Sequence, residues 1–380
     1  MSSKPHISIL DPIGSHGGMH YYCDNQARTL FDQGHPVTLY SLPASTDTGV
    51  PYEKVNTFRR IYGSDPKLVR GLRFISDLTG ALVSARRKRS RAMLYHLFKM
   101  DSFELFAMVA ARALGMKTFG IVHDVARLDK AGTPSKLTKI ARHCNLLIVH
   151  NVFSLEALER ALDGAPANVA VIPSGNYIAQ FPPSPPAKAT ARAALGLPQD
   201  KVILLFFGNP RREKGLHVLL EALVPHRDAK GLLVLVAGKM KPDEEAEYRT
   251  FVTANGLDAR VRFDIGHVAD ENVANYYRAA DMVALPYLRI YESAVALMAM
   301  SLGRPVIASD LPPLRDVIGD DQRGLLFTMG DAGALAARIG EVLAAPDMLD
   351  ELAERAAHYA ANDRHWDVTG KMLSEAAEKL

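Results

Sequence analysis

An unbroken apolar run over 202–207, VILLFF, meets a polar octet bounded by glycines, GNPRREKG at 208–215. Beyond it Leu216, Leu219, Leu220 and Leu223 recur at helical spacing. The order is therefore strand, loop, helix, and the chain repeats that order throughout its length. Strand-length apolar runs recur at 232–237, 261–265, 282–286, 305–309 and 324–327, each followed by a segment that can be helical. The first half carries its own set at 6–11, 34–40, 93–98, 117–123, 145–150 and 169–173, with a helix expected over about 19–33. Alternation of this kind predicts doubly wound parallel sheets, an α/β fold of Rossmann-like type. The 380 residues suffice for two such domains. The stretch PPSPPAKATARAALGLP, 182–198, is rich in proline and lacks apolar periodicity, so it reads as a linker with the domain junction near 180.

The octet carries the first chemical signal. Ligands of open α/β sheets bind at the carboxyl ends of strands, where a helix start offers free N–H groups and the positive end of its dipole. Gly208, Arg211, Arg212 and Lys214 stand at such a place and add fixed positive charge, which predicts a diphosphate clamp. A solvated basic loop would look the same in isolation, and the octet is neither a Walker loop nor GxGxxG. A second stretch, YLRIYESAVALMAMSLGRPVIASD at 287–310, repeats the pattern, with Ser293 as N-cap and the N–H groups of Ala294 and Val295 expected to face the loop. Two helix starts on one sheet can hold the same phosphates. Gly238, Gly266 and His267 end other strands on that edge and are expected to shape a nucleoside pocket, although ordinary strand-to-helix turns use the same residues.

GNPRREKG followed by the Gly-Arg-Pro-Val-Ile segment at 303–307 resembles the donor domain of nucleotide-sugar glycosyltransferases of the GT-B fold, in particular glycosyltransferase family 4. The opening HISILDPIGSHGGMHYY, with Gly17 and Gly18 in its loop and Gly-His-x-Val at 34–37, resembles the acceptor domain of those enzymes, and IPSGNYIAQF at 172–181 resembles their domain junction. The resemblance implies two Rossmann-like domains facing a cleft: 1–180 for the acceptor, 181–363 for the donor, and 364–380 as a last helix that crosses back, anchored by Trp366. It also carries Arg211 and Lys214 into the diphosphate site, and His123 of the His-Asp at 123–124 into contact with the donor sugar. One departure stands out. The family's paired glutamates would fall at Ile290 and Met298, with Glu292 two residues from the first position and the remaining candidate for its role. A methionine cannot accept hydrogen bonds from ribose hydroxyls as a carboxylate does.

A net charge of +3 is too small to indicate nucleic acid. No run of 18 apolar residues and no leader pattern precede the first strand, so a cytoplasmic protein is expected. Cys23 and Cys144 lack metal-ligand spacing, and no Asp-x-Asp stands at a strand end, so neither a structural zinc nor a required metal or other cofactor is expected. Charge is concentrated in one place. Residues 67–91 hold eight Lys/Arg and one acid, Asp77. Leu68, Leu72, Ile75 and Leu82 can share one helical face, while Arg70, Arg73, Arg86, Arg87, Lys88 and Arg89 supply charge for docking on an anionic membrane surface. A core-packing helix with a solvated basic end is the competing reading.

The expected activity is transfer of a sugar from a UDP- or GDP-sugar to a glycan acceptor, lipid-linked, in bacterial polysaccharide or glycolipid synthesis. The resemblance implies retention of anomeric configuration, and the inner face of the plasma membrane follows as the location. Two other readings stay open: a nucleotide-sugar epimerase of the same fold, and a binding protein without catalysis.

Overall fold

The computed structural model describes residues 4–14, 19–43, 49–59, 65–98, 101–123, 125 and 134–379. The chain forms two compact units, Met1–Gly175 with Arg364–Leu380, and Asn176–Asp363. Their boundary at Gly175 and Asn176 lies upstream of the expected 180. Asn176 Nδ2 donates to Ala360 O at 2.8 Å and Tyr177 N to Ser301 Oγ at 2.9 Å, which ties this stretch into the second unit.

The first unit begins with β1 (Ile7–Leu10), α1 (Met19–Asp32), β2 (Val37–Ser41), β3 (Glu53–Asn56) and α2 (Lys67–Arg87). It continues with β4 (Ala92–Leu97), α3 (Ser102–Ala113), β5 (Lys117–Val122) and α4 (Pro134–His143). β6 (Leu146–Val149), α5 (Val152–Leu162) and β7 (Val169–Val171) follow. All strand pairs are parallel, in the order β3-β2-β1-β4-β5-β6-β7. β1 is the pivot, with Ile7 beside Val37 on one flank and beside Ala92 on the other. Every residue of β1, β2 and β4 is buried, as strands covered on both faces require. β3 escaped the sequence reading because EKVN is polar and lies at the sheet edge, where charge blocks further pairing.

In α2 the expected apolar face divides. Leu82 is buried together with Phe74, Leu78, Ala81 and Ala85, whereas Leu68 and Leu72 are 74% and 60% exposed and Ile75 is exposed as well. The buried residues recur at three- and four-residue intervals, so the helix packs along that line and turns Leu68, Leu72 and Ile75 outward.

The second unit runs α6 (Lys188–Ala194), β8 (Val202–Phe207), α7 (Leu216–Leu223), β9 (Leu232–Gly238), α8 (Pro242–Ala254) and β10 (Val261–Ile265). Then come α9 (Asp270–Ala279), β11 (Met282–Leu285), α10 (Ala294–Ser301) and β12 (Val306–Ser309). α11 (Pro312–Ile318), β13 (Gly324–Phe327), α12 (Ala332–Ala344) and α13 (Met348–Asn362) complete it. Its parallel sheet has the order β10-β9-β8-β11-β12-β13. Numbered from its own first strand this is 3-2-1-4-5-6, and strand order reverses between β8 and β11. Leucine and valine fill both faces, each fully buried side chain contributing about 1.5–3 kcal/mol.

The stretch read as a linker contains α6. Arg192 is buried, pairs with Asp281 at 2.6 Å and donates to Ala279 O at 2.9 Å. Asp281 also accepts from Ile203 N at 2.7 Å. An alanine-rich helix anchored by one buried ion pair leaves no apolar periodicity to read.

The chain then returns to the first unit as α14 (Trp366–Glu378). Leu373 and Ala377 share a core with Ile7, Ile9 and Leu30. Thr29 Oγ1 donates to Trp366 O at 2.9 Å, and a Cβ on Gly175 would lie 2.4 Å from the Trp366 ring, so only glycine fits there.

Candidate functional site

The loop after β8 is a compact turn held by its own backbone. Lys214 N donates to Arg211 O at 2.7 Å, and Gly215 takes φ +68° before α7 begins. A Cβ on Gly215 would fall 1.8 Å from Pro286 O, which brings this loop against the one after β11. Leu288 N donates to Glu213 O at 2.8 Å and joins them. The Lys214 side chain folds back over Gly208, whose missing Cβ would lie 3.0 Å from Nζ, and Nζ sits 5.8 Å from the Tyr287 ring centroid. The two expected stretches thus meet at the point where strand order reverses.

Electrostatics there are unusual. Among the described residues no carboxylate pairs with Lys214 or Arg211. Burial, with the Arg211 guanidinium nearby, brings the Lys214 ammonium down to about 8. Burial raises the Tyr287 hydroxyl well above its ordinary range, opposed by its hydrogen bond with Ser293. Ser293 caps α10, its Oγ accepting from Ala296 N at 3.2 Å. The N–H groups of Ala294 and Val295 belong to the helix's first turn and are not used by this cap. Ala294 is exposed and Glu292 half-buried. At the two positions of the missing glutamate pair, Ile290 and Met298 pack against the core of the unit.

Gly238 and Gly266 join the same edge. A Cβ on Gly238, at φ +134°, would meet Gly208 O at 2.6 Å, and Gly266 N donates to Gly238 O at 3.1 Å. Close backbone approach of neighbouring strand ends accounts for Gly238. His267 is exposed beside them.

In the first unit His123 follows β5 and meets two further histidines that the sequence reading missed. His96 is the penultimate residue of β4 and His150 follows β6. His96 Nδ1 lies 2.8 Å from His123 Nε2, and the His123 and His150 ring centroids are 5.3 Å apart. His150 Nδ1 donates to Ile172 O at 2.9 Å. Burial lowers His96 to about 3, His150 adding to the shift, and burial also holds His123 well below its usual range. Histidines ending three neighbouring strands were a readable signal, because a polar ring recurring at the carboxyl edge of an apolar sheet is unusual.

Gly17, Gly18 and Asp124 lie outside the described residues. Beside that glycine loop, Asp11 Oδ1 accepts from Ile13 N at 3.1 Å and Gly14 N at 2.9 Å. Lys54 pairs with Asp24 at 3.1 Å, and Tyr52 donates to the same carboxylate at 2.7 Å.

The basic segment divides by environment. Arg86 and Arg87 at the end of α2 and Arg89 beyond it are exposed, but Lys88 pairs with Glu53 at 2.6 Å and Arg73 with Asp65 at 2.5 Å. Arg70 is half-buried. Lys88 and Arg73 are thus engaged with neighbouring carboxylates, whereas Arg86, Arg87 and Arg89 are exposed. Phe103 and Phe106 of α3 are exposed as well, and a Cβ on Gly71 would lie 3.4 Å from the Phe103 ring, which packs edge-on against Phe74 at 5.3 Å. No helix among the described residues is long and apolar enough to cross a membrane.

Known proteins match this architecture. Residues 187–362 match the family model of glycosyl transferases group 1, and residues 16–176 that of glycosyltransferase family 4. A D-inositol 3-phosphate glycosyltransferase of Xylanimonas cellulosilytica is 28% identical over 89% of this chain and 87% of its own length. Its counterpart in Corynebacterium urealyticum is 30% identical over 64% of this chain, which spans only 58% of that relative's length. Among solved structures, sucrose-phosphate synthase from Thermosynechococcus elongatus superposes with TM-score 0.76 at 20% identity, covering 99% of both chains. Anabaena HepE in complex with UDP superposes with TM-score 0.75 at 20% identity, over 99% of this chain and 100% of its own. At such identity these structures establish the fold, GT-B. With both family models matched, one in each unit, the chain belongs to the group 1, family 4-like glycosyltransferases.

Proposed function

We propose that the protein transfers a glycosyl group from a nucleotide sugar to a glycan acceptor, with retention of configuration and without a metal. The observation that carries this reading is Lys214, a half-buried, desolvated ammonium beside Arg211 with no carboxylate pairing among the described residues, placed where strand order reverses. A partly desolvated cation without a counter-charge is costly and favours an anionic ligand. A nucleoside diphosphate fits, because its charge develops as the glycosidic bond breaks, where Arg211, Lys214 and the start of α10 would stabilise it. Fixed cations supply what a divalent ion supplies elsewhere. His123 is assigned to the donor's sugar, and UDP is the first nucleotide to test, because HepE was solved with it.

The acceptor in this reading is a lipid-linked glycan of polysaccharide or glycolipid synthesis, reached at the inner face of the plasma membrane. Exposed Leu68 and Leu72 at the start of α2, exposed Phe106 of α3, and exposed Arg86 and Arg87 at the far end of α2 support it, since apolar insertion and attraction to anionic lipid both favour a membrane surface. The protein is to be incubated with labelled UDP- and GDP-sugars, with a lipid-linked glycan or inositol 3-phosphate as acceptor, and with EDTA in parallel. Labelled lipid-linked product, formed equally in EDTA, is expected. An epimerised sugar nucleotide made without acceptor would replace this reading by epimerisation, and binding without product by a non-catalytic role.

A further inference from the structure

His96 has no role in the reaction as described so far, yet it is 1% exposed and both of its ring nitrogens are engaged. Nδ1 faces His123 Nε2 at 2.8 Å. Nε2 faces Gln26 Oε1 at 3.2 Å and Cys23 Sγ at 3.4 Å. A carbonyl oxygen only accepts, so the proton of His96 is on Nε2. A neutral imidazole has one N–H, which makes Nδ1 an acceptor and requires the bridging proton to reside on His123 Nε2. His123 Nδ1 then keeps its lone pair. The His123 ring is also fixed in plane, with Phe98 stacked on it at 4.8 Å and 7° and Tyr22 edge-on at 5.3 Å.

We propose that His96 is a positioning residue that, oriented by Gln26, locks His123 as the Nε2–H tautomer and leaves His123 Nδ1 to accept a hydrogen bond from a hydroxyl of the sugar. The sugar contact rests on the glycosyl-transfer reading, whereas the lock is a property of the protein alone. Neutral rings suit the role, because a charged pair would place two like charges at hydrogen-bond distance.

Nitrogen-15 NMR of the histidine-labelled protein separates the two. In the wild type, His123 Nε2 is expected at the protonated shift and Nδ1 at the unprotonated shift, unmoved between about pH 5.5 and 8. His96→Asn, whose side-chain oxygen can stand in for the lost acceptor, should preserve that signature. His96→Leu should give averaged tautomers and a kcat for transfer lowered roughly tenfold with the donor KM little changed. Should His96→Leu fail to fold, Gln26→Met, which removes the carbonyl that orients His96, is expected to release the same averaging. An Nδ1–H tautomer in wild-type His123, or a wild-type signature in His96→Leu or Gln26→Met, would overturn the lock. Absence of transfer by the wild type with the NMR signature intact would overturn the functional reading and leave the lock standing.

Discussion

On the proposed reading, raising the pH discharges Lys214, and that should be visible in nucleotide affinity. The ammonium titrates near 8 in the free protein. Bound phosphate raises that value, so binding takes up a proton above pH 8 and affinity falls as pH rises through it. With a midpoint of about 8, about three-quarters of Lys214 is charged at pH 7.5 and about a tenth at pH 9. The dissociation constant for UDP should therefore rise about eightfold over that interval, or ~1.2 kcal/mol. The ligand itself contributes little, since phosphate has its second pKa near ~6. Calorimetry in two buffers of different ionisation enthalpy gives both the affinity and the proton count, which should climb from about a quarter to about nine-tenths of a proton per UDP. Lys214→Arg keeps its charge at pH 9 and should bind with little pH dependence. An unchanged wild-type affinity between pH 7.5 and 9, or the same fall in Lys214→Arg, would refute the argument.

The same lysine should lower stability. Its folded pKa is depressed, so the cost is fully present below about 8 and fades toward ~10.4; Lys214→Met should therefore gain up to ~2 kcal/mol at pH 7 in urea melts while losing UDP binding. Gly215→Ala should lose more than ~2 kcal/mol, because its Cβ meets Pro286 O and φ is +68°, whereas Gly196→Ala, at φ +61° in open space, should lose only about 1. Arg192→Met takes the buried guanidinium from Asp281, leaving it the half-exposed Lys188 at 3.0 Å, and should cost on the order of 2–3 kcal/mol by the same assay. Flotation with vesicles should require anionic lipid and weaken with salt as the Debye length shrinks below ~8 Å; Leu72→Ser with Phe106→Ser should abolish it and leave UDP affinity intact.

The sheets were legible because their strands are continuous apolar runs stopped by glycine or polar residues. β8, β10 and β13 have the bounds that the sequence suggests, 202–207, 261–265 and 324–327. Readability ended where burial is not apolar. α6 is anchored by Arg192, and β3 is a polar edge strand that gains its place from β2 alone. The turn of Arg211 and Lys214 could be read locally because these residues are close in sequence. The histidine contacts could not, because they join residues of α1 and β4 to residues just after β5 and β6, and which nitrogen carries a proton depends on neighbours far away in the chain. The outward turn of Leu68 and Leu72 was equally hidden, since helical spacing gives a stripe without saying which stripe the sheet covers.

The return of α14 makes the second unit an insertion within the first. A fragment of residues 176–363 is one continuous piece with its own sheet and core and is expected to fold alone, whereas a fragment ending at 175 leaves Ile9 and Leu30 without Leu373. On a ribosome the order of completion follows. The second unit is whole when residue 363 emerges, while the half that holds His96 and His123 must wait for Trp366 and Leu373. Truncation within α14 should thus remove the older-synthesised half and spare the younger one.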